Sequence, residues 1–227
     1  MDISLYYIKK GSGPPLLLLH GNGESGDYFV HQLDEFARYF TVYAVDTRGH
    51  GKSPRGTAPF TISQFADDLL GFLDGQGIGK ADILGFSDGG NIALTFALRY
   101  PQRVGRLVLN GANLDPAGVK PTVQIPIVLG YRLASLSKNP KARANAELLG
   151  LMVNEPHIDP KELATLTMPA LVIVGSRDMI KGSHSRLIAD SLPHGRLVTI
   201  EGDHFIANKQ PEPFNRAVLA FLKEEIP

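Results

Sequence analysis

A serine, an aspartate and a histidine each follow a short apolar run in this chain: Ser87 after 81–86, Asp178 after 170–175 and His204 after 196–200. A serine hydroxyl is a poor nucleophile until a base takes its proton. An imidazole does this best when a carboxylate holds its tautomer and balances the cation it becomes. The three residue types therefore supply a nucleophile, a base and an orienting acid for acyl transfer. Ser87 carries the most information. In Gly85-Phe86-Ser87-Asp88-Gly89 it separates an apolar run from a helix-like run, with small residues where a side chain would collide with the turn. A sharp strand-to-helix turn of this kind lifts its serine clear of a sheet, and strained backbone of that sort clusters at working residues.

Such residues cooperate only if the elements before them end at one edge. Runs rich in β-formers occur at 4–9, 15–20, 40–46, 81–86, 104–111, 170–175 and 196–200, and helix-period segments fill most of the gaps. Strands alternating with helices imply parallel crossovers, so the expected class is α/β, a doubly wound and mostly parallel sheet of about seven strands. Ligands bind beyond the carboxyl ends of such strands, where the three residues fall. One stretch breaks the rhythm: 112–167 has helical pieces, prolines at 116, 121, 126, 140, 156 and 160, and no strand pattern. We read it as a lid inserted into a single domain spanning 1–227. Within it, Asp159 before Pro160 is a helix N-cap followed by proline at the first helical position.

Composition narrows the partners. Lysine plus arginine equals aspartate plus glutamate at 23 each, so no net field favours nucleic acid or an anionic membrane surface, and a small molecule is the expected partner. The absence of cysteine removes thiol catalysis, disulfides and thiolate metal sites. No metal or cofactor is expected. The first ten residues lack the basic stretch, long apolar core and cleavage site of a signal peptide, and no apolar stretch is long enough to span a bilayer. The expectation is a cytoplasmic protein, its oligomeric state open.

Five segments in order, LLLLHGNG, DTRGHGKS, GFSDGG, VGSRD and EGDH, together resemble the α/β-hydrolase fold family over essentially the whole chain. Carried over onto this sequence, the resemblance implies Ser87 as nucleophile, Asp178 as acid, His204 as base, and the backbone N–H groups of Asn22 and Asp88 as an oxyanion hole. It implies serine hydrolysis of a small carboxylic ester, with lactone, thioester or carbon–carbon bond hydrolysis on the same residues, or a triad-bearing ligand sensor, as alternatives. A haloalkane dehalogenase would need aspartate at position 87.

Several residues keep two readings. Asp115 follows the 104–111 run and is the rival acid. His20 reads as a ring that hydrogen-bonds the loop shaping the oxyanion hole, and Asp46 to Gly51 as a tight turn held by an Asp or Arg network. The Asp88 carboxylate, beside the nucleophile, either attracts a cationic substrate or turns away into local hydrogen bonds at the helix start. Ile125, Leu129, Tyr131, Leu149 and Met152 either line a substrate pocket or seal the lid onto the body.

Overall fold

Leu16, Leu17, Leu18 and Leu19 are fully buried, and they divide between two cores: Leu17 and Leu19 join one apolar cluster, Leu16 and Leu18 the other. Successive side chains of a strand point to opposite faces, so an unbroken apolar run requires cover on both sides. Each leucine buried this way contributes about 1.5–3 kcal/mol. The computed structural model, which describes residues 2–224, supplies that cover with helices on both faces of a seven-stranded sheet.

The strands are β1 (Tyr7–Lys10), β2 (Pro15–Leu19), β3 (Thr41–Val45), β4 (Ala81–Phe86), β5 (Val104–Asn110), β6 (Ala170–Gly175) and β7 (Gly195–Ile200). Their order is β1-β3-β2-β4-β5-β6-β7, with β1 antiparallel to β3 and the other pairs parallel. The runs at 81–86 and 170–175 match their strands end for end. The first strand was expected from residue 4 and begins at Tyr7. Tyr7 pairs with Val45, the last residue of β3, so the residues before it have no strand partner. Tyr6 instead bonds the following loop, its N–H to Ser53 Oγ at 2.8 Å and its carbonyl to the N–H of Asp46 at 2.9 Å.

Helices α1 (Val30–Phe36), α7 (Ile206–Lys209) and α8 (Pro211–Leu222) bury Phe36, Ile206 and Phe214 on one face. Helices α2 (Ile62–Gly75), α3 (Asp88–Arg99) and α6 (Gly182–Ser191) bury Phe65, Phe96 and Ile188 on the other. α2 shows why these segments are helical. Ile62, Phe65, Ala66, Leu69, Phe72 and Leu73 form one buried stripe, and the Thr61 side chain caps the first turn by accepting from the N–H of Gln64 at 3.1 Å.

Between β5 and β6 lie α4 (Pro121–Leu136) and α5 (Pro140–Asn154), flanked by the 3-10 turns Pro116–Gly118 and Pro160–Thr165, with no strand of the sheet. Asp159 caps the second turn as expected, and the Glu162 side chain returns the bond to the Asp159 N–H at 3.1 Å. α4 packs on α5 yet has no fully buried residue. Ile125 and Leu129, expected to line a pocket or seal the lid onto the body, are 59% and 55% exposed and so do not seal it.

Candidate active site

β4 runs straight into α3 at Ser87, whose φ of 53° and ψ of −121° lie outside the regions that a side-chain-bearing residue normally adopts. The turn closes because its N–H donates to Asn110 O on β5 at 2.8 Å and its carbonyl accepts from the N–H of Gly90 at 2.8 Å. A Cβ at Gly85 would press into Gly89 O, and one at Gly89 into Leu19 O and His20 O. Only glycine lets the turn sit this close to β2.

The residues foreseen at three strand ends meet here. His204 Nε2 lies 3.0 Å from Ser87 Oγ, and His204 Nδ1 lies 2.7 Å from Asp178 Oδ1. Asp178 Oδ1 also accepts from the N–H of Ile180 at 2.9 Å, which fixes the carboxylate in the loop after β6. An ionised carboxylate only accepts, so Nδ1 carries the proton and Nε2 presents its lone pair to the serine. Both His204 and Asp178 are buried, and the rings of Phe86 and Phe205 pack on the imidazole at 4.9 and 5.5 Å between centroids. An imidazole so held can take up the Ser87 proton. The rival acid, Asp115, is engaged elsewhere: Oδ2 pairs with His157 Nδ1 at 2.6 Å and Oδ1 caps the N–H of Ala117 at 2.8 Å.

The loop after β2 approaches the same point. Among the described residues, neither the Asn22 N–H nor the Asp88 N–H donates to a protein acceptor. His20 shapes this loop as foreseen. Its Nδ1 donates to Gly21 O at 2.7 Å and its Nε2 accepts from the N–H of Thr47 at 3.0 Å, and burial pushes its pKa down to about 4, so the ring is neutral. Glu24, which sequence reasoning passed over, accepts from the N–H of Gly21 at 3.1 Å. Burial pushes its pKa up to about 6, against the pull of that N–H and of nearby His204. Its position three residues after Gly21, in the tight turn of HGNG, was a signal available in the sequence.

Asp88 is 7% exposed and lies in a polar seam that the sequence did not reveal. Asp88 Oδ1 accepts from Asn91 Nδ2 at 3.2 Å; the same amide donates to Asn113 Oδ1 at 3.1 Å, and Asn91 Oδ1 accepts from the N–H of Asn113 at 2.9 Å. Asp88 Oδ2 is buried and forms no well-aligned hydrogen bond among the described residues. Burial pushes the Asp88 pKa up to about 6, opposed by the adjoining Asn22 amide and by His204 and assisted by Glu155. The Asn22 amide makes its own well-formed bond to Leu148 O of α5, at 2.7 Å.

The other foreseen residues belong to α4, α5 and the loop after β3. A cavity of about 780 Å³ between α4 and α5 includes Tyr131 in its walls and none of Ser87, Asp178 or His204. Leu149 reaches toward Gly130 of α4, and the Met152 carbonyl accepts from Gln124 Nε2 at 3.2 Å, so these residues join the two helices to each other. The Asp46 turn is tied down as expected, with Oδ1 accepting from the N–H of Gly26 and Oδ2 from that of Lys52, both at 2.7 Å. Among the described residues no helix is long and apolar enough to cross a membrane.

Known proteins resemble this chain in sequence and in shape. Residues 14–138 match the family model described as alpha/beta hydrolase fold. A Caulobacter sp. (strain K31) protein provisionally named carbamate hydrolase RutD is 31% identical, over 92% of this chain and 91% of its own. The 3-oxoadipate enol-lactonase 2 of Acinetobacter baylyi is 25% identical over 98% of this chain and 96% of its own. Among solved structures, a hydrolase from Pseudomonas aeruginosa PA01 is 28% identical with a TM-score of 0.79, covering 98% of this chain and 99% of that one. The enol-lactonase from Burkholderia xenovorans LB400, 23% identical over 98% of this chain and 97% of that one, shares the fold with a TM-score of 0.83. With a family match over more than half its length and relatives aligned nearly end to end, the chain belongs to the α/β-hydrolase fold family and is a hydrolase of that fold.

Proposed function

We propose that the protein is a serine hydrolase that cleaves a small carboxylic ester through an acyl-enzyme intermediate. The observation that carries this reading is the continuous line Asp178 Oδ1, His204 Nδ1, His204 Nε2, Ser87 Oγ, with spacings of 2.7 and 3.0 Å, ending on a serine held at φ 53°. Ser87 Oγ attacks the ester carbonyl as His204 Nε2 takes its proton. The tetrahedral oxyanion is held by the N–H groups of Asn22 and Asp88, which have no other acceptor among the described residues. His204 then returns the proton to the leaving alkoxide. Water repeats the sequence on the acyl-serine, and the acid is released. Helices α4 and α5 act as the lid, with 112–167 inserted into a single domain.

A lactone is the second reading, because the relatives of this chain include an enol-lactonase aligned over nearly its whole length. A cyclic ester needs the same attack and the same oxyanion donors; only the leaving alkoxide stays tethered. The test is stopped-flow hydrolysis of p-nitrophenyl acetate and butanoate. A burst of p-nitrophenol matching the enzyme concentration, absent in Ser87→Ala, supports the acyl-enzyme; turnover that survives Ser87→Ala overturns it.

A further inference from the structure

We propose that Asp88 is a specificity-determining residue that receives a primary ammonium group on the acyl portion of the substrate. This rests on the serine-hydrolase reading and names the substrate class for that site. The seam beside the nucleophile is built around one carboxylate. Asn91 commits its amide oxygen and its amide nitrogen to Asn113, and that nitrogen also grips Asp88 Oδ1. The seam thus holds one carboxylate oxygen firmly and leaves the other, Oδ2, buried and without a well-formed partner one residue from Ser87. Buried carboxylate oxygens are ordinarily satisfied, so an open one at a reacting centre is a place for a donor supplied from outside.

The surroundings specify which donor. The adjoining Asn22 amide nitrogen donates one of its two N–H groups to Leu148 O, and only its other N–H is left beside Asp88. The titratable groups near Asp88 are Glu155, next to the end of α5, and the His204 imidazole; among the described residues no Lys or Arg side chain forms an ion pair with Asp88. Lys120, the cation close to the triad acid, donates to Asp178 O at 2.5 Å. A neutral alkyl group would leave the carboxylate oxygen unmet, and a substrate carboxylate would face Asp88 and Glu155 together. An ammonium group brings three donors and a positive charge to a carboxylate of the opposite sign.

The test compares p-nitrophenyl esters of 3-aminopropanoate, butanoate and succinate at about pH 8, each rate divided by that ester's hydroxide-catalysed rate. In the unaltered protein kcat/KM should favour the aminopropanoate over the butanoate by about tenfold or more, with the succinate slowest. Asp88→Asn should bring the ratio of the first two within about threefold, whatever the change in the absolute rates. Asp88→Ser, with its melting temperature and near-ultraviolet circular dichroism recorded, serves where the amide variant fails to fold. In parallel, a fluorophosphonate should label Ser87, and n-propylammonium should slow that labelling more than n-butanol does only while Asp88 is present. Labelling with no ammonium preference overturns this inference and leaves the serine-hydrolase reading standing; failure to label Ser87 removes both.

Discussion

The side-chain amide of Asn22 donates to the carbonyl oxygen of Leu148 at 2.7 Å, joining the loop after β2 directly to α5. One residue thereby carries a backbone N–H without a protein acceptor among the described residues and ties that loop to α5. Removing the amide in Asn22→Ala costs a net hydrogen bond, about 0.5–1.5 kcal/mol, and the cost falls on that contact because the rest of the loop is held by His20 and Glu24. The expected outcome is faster amide hydrogen exchange across 140–154 with exchange in the sheet unchanged. Equal exchange in α5 of the two proteins would mean that the bond does not hold the helix.

The choice of acid is testable by two substitutions. Asp178→Asn offers an amide in place of an acceptor-only carboxylate, so the imidazole turns its other tautomer to Ser87. A loss of about 10⁴ in kcat with little change in KM is expected, as for triads of this type. Asp115→Asn breaks only the exposed pair with His157 and should leave kcat within about threefold, as surface pairs contribute little. Steady-state kinetics on one ester separates the two, and the reverse ranking would reassign the acid.

Stability should fall as pH rises through the range in which Asp88 ionises. Its folded pKa, about 6, lies above the ordinary value of 3.8, so the folded state holds the proton more tightly than the unfolded chain does. The associated stability is fully present below pH 3.8 and is lost as pH rises to about 6, about two pKa units or roughly 3 kcal/mol for this buried group. Glu24 acts in the same direction over 4.5 to about 6, with a smaller effect because it is partly exposed. Asp88→Asn should therefore melt higher than the unaltered protein at pH 7 and close to it near pH 4. Thermal melts across that range decide it, and a constant difference would deny the burial effect.

His20 should matter for rate more than for binding. Its neutral ring spans Gly21 O and the Thr47 N–H, holding the turn that carries Asn22. His20→Ala frees that loop, and a displaced oxyanion donor lowers kcat by about 10²–10³. KM should change little, and fluorophosphonate labelling of Ser87 should slow in proportion to kcat. A variant affected only in KM would place His20 in substrate binding.

The sheet was legible because it is written in local pattern. Ala81 to Phe86 and Ala170 to Gly175 are apolar runs bounded by breakers, and their strands begin and end there. The first strand was misjudged by three residues, since its start depends on where β3 stops rather than on anything in its own composition. On α4, Ile125 and Leu129 were read as either pocket lining or cover, and their exposure excludes the second, since hydrophobicity alone does not say what a helix packs against.

Residue type and spacing alone determined the strand-end placement of Ser87, Asp178 and His204, and the glycines that make the elbow sterically possible, since both follow from short-range rules of chain geometry. Tertiary structure decided which acid reaches the imidazole. Asp178 and Asp115 both follow strands, and only packing of β6 beside β5 puts one on His204 and leaves the other beside His157. It also decided that Asp88, Asn91 and Asn113 share a buried seam, because burial and a carboxylate oxygen without a well-formed bond arise from segments distant in sequence closing over one another, which no local pattern encodes.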